Sequence, residues 1–149
     1  MKVLVSIDES EGSLYALQWA LEHLYLPEIE GSAAITVVHV QPHTAVPAGA
    51  ASVIDSVKKA QEESASEVIS RATKLCEQHM IKAEMMVIRG NPKEMIVDAS
   101  EDMNADLLVV GSRGLGQIKR AFLGSVSDYC VHHAKCPVLI VRPPKSSPK

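Results

Sequence analysis

Apolar positions recur along the chain with two alternating periods, and that alternation predicts the elements. Lys2 to Ile7 is a short, nearly continuous apolar run halted by Asp8-Glu9-Ser10-Glu11-Gly12, a strand followed by a turn. Leu14, Leu17, Leu21 and Leu24 then recur three and four residues apart, one face of an amphipathic helix, and Pro27 and Gly31 punctuate its end. Ala34 to Val40 is apolar almost throughout, so it predicts a central strand buried on both faces. Gln41 to Ala50 contains two prolines and a glycine and reads as a loop. Helical spacing returns with Ile54, Val57, Gln61, Ala65, Val68, Ala72 and Leu75. The opposite face carries Lys58, Lys59, Glu62, Glu63, Glu67 and Arg71, several spaced for pairing at i,i+4.

The second half repeats the alternation. Ala83 to Ile88 predicts a third strand, and Asn91-Pro92 supplies an N-cap and a first helical proline for a helix through Met95, Ile96, Ala99 and Met103. Asp106 to Val110 predicts a fourth strand ended by Gly111. After a glycine-rich stretch come a helix from about Gly124 to His133 and a fifth strand from Pro137 to Val141. Strands alternating with helices imply right-handed crossovers in a parallel sheet. The expected fold is α/β, a single doubly wound domain whose five-stranded parallel sheet has helices on both faces.

Composition narrows this further. The 149 residues suit one core, and 46% hydrophobic against 3% aromatic residues means that aliphatic side chains build it. The net charge of −3 is dispersed, unlike the basic stripe of a nucleic-acid binder. No stretch approaches the ~20 apolar residues of a membrane span. The run Val3 to Ile7 is too short for a secretory leader, so none is expected. The domain is expected to cover 1–142, with 143–149 a basic, proline-rich disordered tail. Cys76, Cys130 and Cys136 form no CxxC pair, which favours free thiols and a cytoplasmic location.

The chemistry concentrates in Gly111-Ser112-Arg113-Gly114-Leu115-Gly116, continued to Leu123-Gly124-Ser125-Val126-Ser127. It follows the fourth strand and leads into a helix, at the sheet edge where ligands of open α/β folds collect. Glycines there let main-chain N–H groups approach a phosphate, and Gly124-Ser125 adds a helix start with its positive dipole end. The same residues also fit a plainer reading, in which the glycines permit a turn and Ser125 caps a helix. There is no GxxxxGK[ST], so this is no P-loop, and no GxGxxG opens the first helix.

The spacing Gly111-x-x-Gly114, nine residues, then Gly124-Ser125 resembles the ATP-binding signature of the universal stress protein family. The resemblance extends to the strand ending in Asp8, to Val38-His39-Val40, to Val109-Val110-Gly111-Ser112 and to His133 through Arg142; Gly111 to Arg120 and the long middle helix look most like plant members. It implies a Rossmann-like, HUP-type fold binding ATP or AMP. Asp8 would contact the adenine, with Ser6 and Ile7 before it, and Val40 would pack on the base. Val110 and Gly111 would line the ribose. Gly114, Gly124, Ser125 and Val126 would hold the phosphates, with Arg113 a further phosphate contact at a position that varies in the family. Mg²⁺ or Mn²⁺ would be held mainly by the phosphates rather than by a protein cage. The last strand, Pro137 to Val141, would pair with its copy in a homodimer.

Other chemistries lack their residues. His39 reads as a hydrogen-bonded core histidine, and His132 and His133 as helix C-terminal residues. Ser125 and Ser127 have no GxSxG elbow and read as helix caps. A nucleotidyl transferase or ATP pyrophosphatase needs an HxGH or SGGxDS motif where this chain has Val5-Ser6-Ile7-Asp8-Glu9-Ser10. A receiver domain needs more acids beside Asp8 and a lysine after the last strand. The expected function is therefore a regulatory adenine-nucleotide-binding stress protein without efficient catalysis. A slow ATP hydrolase, or an interaction module with an empty site, is the alternative.

Overall fold

Val3, Leu4 and Val5 have no exposed surface, which places their strand in the middle of the molecule. The computed structural model describes residues 1–26, 28–31, 33–43, 51–112 and 123–144. Its elements run β1 (Lys2–Ser6), α1 (Glu11–His23), β2 (Ala34–Gln41), α2 (Ala51–Gln78), β3 (Glu84–Arg89), α3 (Pro92–Asp102), β4 (Leu107–Gly111), α4 (Ser125–His133) and β5 (Val138–Val141). The sheet order is β3-β2-β1-β4-β5 and every pairing is parallel. Chain order reverses between β1 and β4, which makes their C-terminal ends the topological switch point.

Period-two alternation within the buried strands sends side chains to two cores. Val3, Val5, Ile35 and Val37 meet Leu17, Ala20, Val68 and Ala72 of α1 and α2. Leu4, Val38, Val40 and Leu108 meet Ile96, Val97 and Cys130 of α3 and α4 on the other face. Leu17 and Leu4 are each fully buried, and truncating either to alanine would cost about 2–5 kcal/mol in lost transfer and cavity terms. The doubly wound parallel sheet read from the sequence is therefore the observed one.

Boundaries differ where a local signal competes with a tertiary one. Gln41 belongs to β2 rather than to the following loop, because it pairs with Arg89 and its carbonyl accepts the Gly90 N–H at 3.0 Å. Helix α1 stops at His23 with Leu24 as C-cap, before Pro27; α2 already begins at Ala51. Along α2 the i,i+4 pairs do not form: Lys58, Lys59, Glu62 and Glu63 make no ion pair among the described residues, and Arg71 reaches Glu11 on α1 at 2.8 Å. Asn91 is the N-cap of α3 with Pro92 behind it, although its side chain makes no capping hydrogen bond. Residues 44–50 of the expected loop and 145–149 of the expected tail lie outside the described residues.

Candidate functional site

Three chain segments meet at the switch point: the β1–α1 turn, the end of β2, and the two ends of the β4–α4 connection. The first is held by serines. Ser10 is the N-cap of α1, in extended conformation, and its hydroxyl accepts the Ser13 N–H at 3.2 Å. The Ser10 N–H donates to Asp8 Oδ1 at 2.7 Å, and the Ser10 hydroxyl donates to the same oxygen. Ser13 Oγ accepts the Asp8 N–H at 3.0 Å and lies 3.2 Å and 3.0 Å from the carbonyls of Asp8 and Ser10. Asp8 is thus the pivot of an Asx-type turn, and one carboxylate oxygen takes both Ser10 donors. Outside the turn, Glu9 accepts from the Ser64 hydroxyl at 2.9 Å and Glu11 from Arg71 at 2.8 Å, tying it to α2.

Behind Asp8, Ser6 closes β1, and the Ile7 N–H donates to the Val38 carbonyl at 2.9 Å. The Ile7 carbonyl faces His39 Nδ1 at 3.1 Å, so that nitrogen carries the proton. His39 is buried and serves as the core histidine the sequence suggested. Val40, one residue on, faces the opposite side of the sheet, in the α3/α4 core. Val110 joins the same core.

Gly111 ends β4 under the first turn of α1. A Cβ built there would stand 3.1 Å from the Gly12 carbonyl carbon and oxygen and 3.2 Å from Ser13 N. Its missing side chain lets the two backbones touch. Next, the Ser112 N–H donates to the Val141 carbonyl at 3.1 Å. The Ser112 carbonyl accepts the Gly124 N–H at 2.8 Å and the Ser127 hydroxyl at 2.9 Å. Ser127 Oγ also lies 3.1 Å from the Gly124 carbonyl. Residues 112 and 124 are therefore clamped together. Arg113 and Gly114, both assigned to phosphate from the sequence, fall in residues 113–122, outside the described residues.

Two expectations change at the start of α4. Gly124, not Ser125, is the N-cap; Ser125 is the exposed first helical residue. Ser127 is not a cap either: buried, it joins the two ends of the connection. The Gly124 amide is already engaged by Ser112, so the donors this turn offers a ligand are the first helical amides, at Ser125 and Val126, and the Ser125 hydroxyl. Ser10, Ser13, Ser112 and Ser127 were the residues sequence reading missed as site builders. Ser10 and Ser13 were signalled only as polar residues beside a predicted turn, which many loops share; Ser112 and Ser127 stood in the glycine-rich stretch, but the partners that make them a clamp are set by the fold.

Elsewhere, His132 lies 3.6 Å from Asp128, and the His133 ring is 4.0 Å from that of Tyr129. Among the described residues no three His, Cys, Asp or Glu side chains converge to hold a metal ion, and no helix is long and apolar enough to cross a membrane. Cys76, Cys130 and Cys136 are free thiols. Burial, and then the neighbouring Cys136, pushes the Cys130 thiol up to about 11. A cleft of about 320 Å³ bounded by Ser100, Asn104 and Lys135 lies near the starts of β4 and β5, away from the switch point.

A parallel sheet wound in both directions, with a serine-clamped connection where its order reverses, defines the class: a Rossmann-like α/β domain. Within that class, the model described as the universal stress protein family matches residues 1–142, and the chain belongs to that family. Universal stress protein PHOS34 of Arabidopsis thaliana is 32% identical over 165 residues, which takes in 96% of this chain and 62% of that protein. The chain therefore spans under two thirds of that relative. The solved structure of hypothetical protein MJ0577 superposes with a TM-score of 0.82 at 26% identity, over 97% of each chain. A universal stress protein solved in complex with cAMP superposes at 0.69 and 25% identity, over 95% of this chain and 96% of that one.

Proposed function

We propose that this chain binds an adenine nucleotide, ATP or AMP, at the switch point and uses it as a regulatory ligand. The observation that carries the reading is the clamp of Ser112, Gly124 and Ser127, which ties the end of β4 to the start of α4 beside that helix's first amides. Main-chain donors fixed in this way suit a phosphate, because they present several N–H groups without a reorganisation cost. Asp8, already oriented by Ser10, and Val40 stand on the β1–β2 side, where a base would lie. The relative solved with cAMP supports an adenine nucleotide as the ligand class.

The ligand is bound rather than turned over in this reading, since the family motif supplies phosphate donors but no general base set to activate water. Mg²⁺ or Mn²⁺ enters only as a counter-ion of the phosphates. Calorimetry with ATP and with AMP tests the proposal: saturable binding of either supports it, and no measurable affinity for both overturns it. Phosphate release above about one turnover per second, the low end of typical enzyme rates, would overturn the regulatory part alone.

Two further expectations belong to the same proposal. Edge strand β5, with Val138, Leu139 and Ile140 only half-buried, pairs with a second copy in a homodimer. A strict monomer in light scattering at high protein concentration would refute that. The free thiols suit the reducing cytoplasm.

A further inference from the structure

Helices α3 and α4 pack side by side on one face of the sheet, and both begin at the C-terminal edge of the strands. Lys93, at the second position of α3, is the only lysine or arginine on either helix. Its ammonium stands 5.5 Å from the centroid of the Tyr129 ring of α4. Lys93 is half-buried, and among the described residues it makes no ion pair. An aromatic face holds a cation without neutralising it. The arrangement leaves the Lys93 ammonium on an aromatic ring of α4, the helix whose first amides belong to the candidate site.

Its position relative to the phosphate donors follows from helix geometry. Tyr129 comes four residues after Ser125, so the two share a helix face about one turn apart, roughly 6 Å along the axis. Long side chains on a helix also lean toward its N-terminus. The ring that holds the ammonium therefore belongs to the residue one turn beyond the first amides of α4, those of Ser125 and Val126. A lysine stem can span that distance by rotating about its own bonds.

We propose that Lys93 reads the phosphate of the bound nucleotide: its ammonium leaves the Tyr129 face to bond phosphate oxygens held at the start of α4. Tyr129 is the positioning residue that keeps the charge at the site when no ligand is present. This rests on the nucleotide reading above and adds a charge requirement to it. The amides recognise a phosphate by shape, whereas Lys93 strengthens binding with the negative charge the ligand brings. ATP therefore gains more from Lys93 than AMP does.

The test uses the full chain with Lys93→Met, which keeps the stem and removes the charge, and Lys93→Arg, which keeps the charge. Calorimetry with ATP and AMP is run at low and high salt, beside thermal unfolding without nucleotide. Lys93→Met is expected to bind ATP about tenfold more weakly, the loss of one charge-assisted bond, with a smaller loss for AMP and a flatter salt dependence. Lys93→Arg is expected to stay within about threefold of the parent. Parental ATP affinity in Lys93→Met, while the parent itself binds, overturns this proposal and leaves the nucleotide reading standing. A lowered melting midpoint with unchanged ATP affinity also overturns it, assigning Lys93 to a structural pin between helices. A parent that binds neither ATP nor AMP overturns the nucleotide reading and this inference with it.

Discussion

Gly111→Ala separates two reasons for a glycine at the end of β4. The resemblance assigns Gly111 to the ligand, whereas the fold places the α1 backbone against it. A new Cβ would lie 3.1 Å from the Gly12 carbonyl group and 3.2 Å from Ser13 N, closer than the ~3.5–4.0 Å at which carbon contacts are most favourable. The helix turn would have to retreat by a few tenths of an ångström. It is poorly free to do so: Ser13 and Ser10 hold it to Asp8, and Arg71 holds Glu11. Overpacking of this kind costs about 1–3 kcal/mol. Against that, alanine restricts the unfolded chain and returns about 0.4–1 kcal/mol, because Gly111 does not have positive φ. The overpacking term wins, leaving a net loss of about 1–2 kcal/mol, or about 3–6 °C in melting midpoint for a domain of this size. Urea and thermal unfolding of nucleotide-free protein measure it directly. An alanine variant that is as stable as the parent without nucleotide, yet binds ATP poorly, would refute the packing argument and reserve the glycine for the ligand.

Further outcomes follow from the same geometry. Ser127→Ala removes the hydroxyl shared by Ser112 and Gly124. Because the Ser112 carbonyl keeps its Gly124 N–H, the loss should be about 1 kcal/mol in urea unfolding, with weaker ATP binding. A larger affinity loss is expected at Asp8. Asp8→Asn keeps an acceptor for Ser10 but puts an N–H₂ group in place of the other carboxylate oxygen; stability should hold while ATP affinity in calorimetry falls about tenfold. Asp8→Ala should lose both, and unchanged affinity in a folded variant would remove Asp8 from the adenine contact. The Cys130 thiol ionises at about 11 in the native state against an ordinary 9.0, so the unfolded chain releases its proton first as pH rises. Its contribution is whole below pH 9 and is lost as pH rises toward 11, on the order of 2–3 kcal/mol. Alkaline urea titrations should show a shallower loss in Cys130→Ala.

Local pattern was enough to determine the elements and their order. Continuous apolar runs such as Val3–Val5 and Val37–Val38 can be satisfied only by strands covered on both faces, and the intervening helical periodicity supplies the covers. The glycine spacing from Gly111 to Ser125 likewise made the family legible, because that motif is local and contiguous. Tertiary structure alone decided what those residues do. Gln41 became strand because Arg89 pairs with it. Ser127 became a clamp because Ser112, fifteen residues earlier, turns its carbonyl inward. Lys93 met Tyr129 only when α3 packed on α4. Periodicity reports which face of an element is buried; it does not report which distant hydroxyl, carbonyl or ring that face will find.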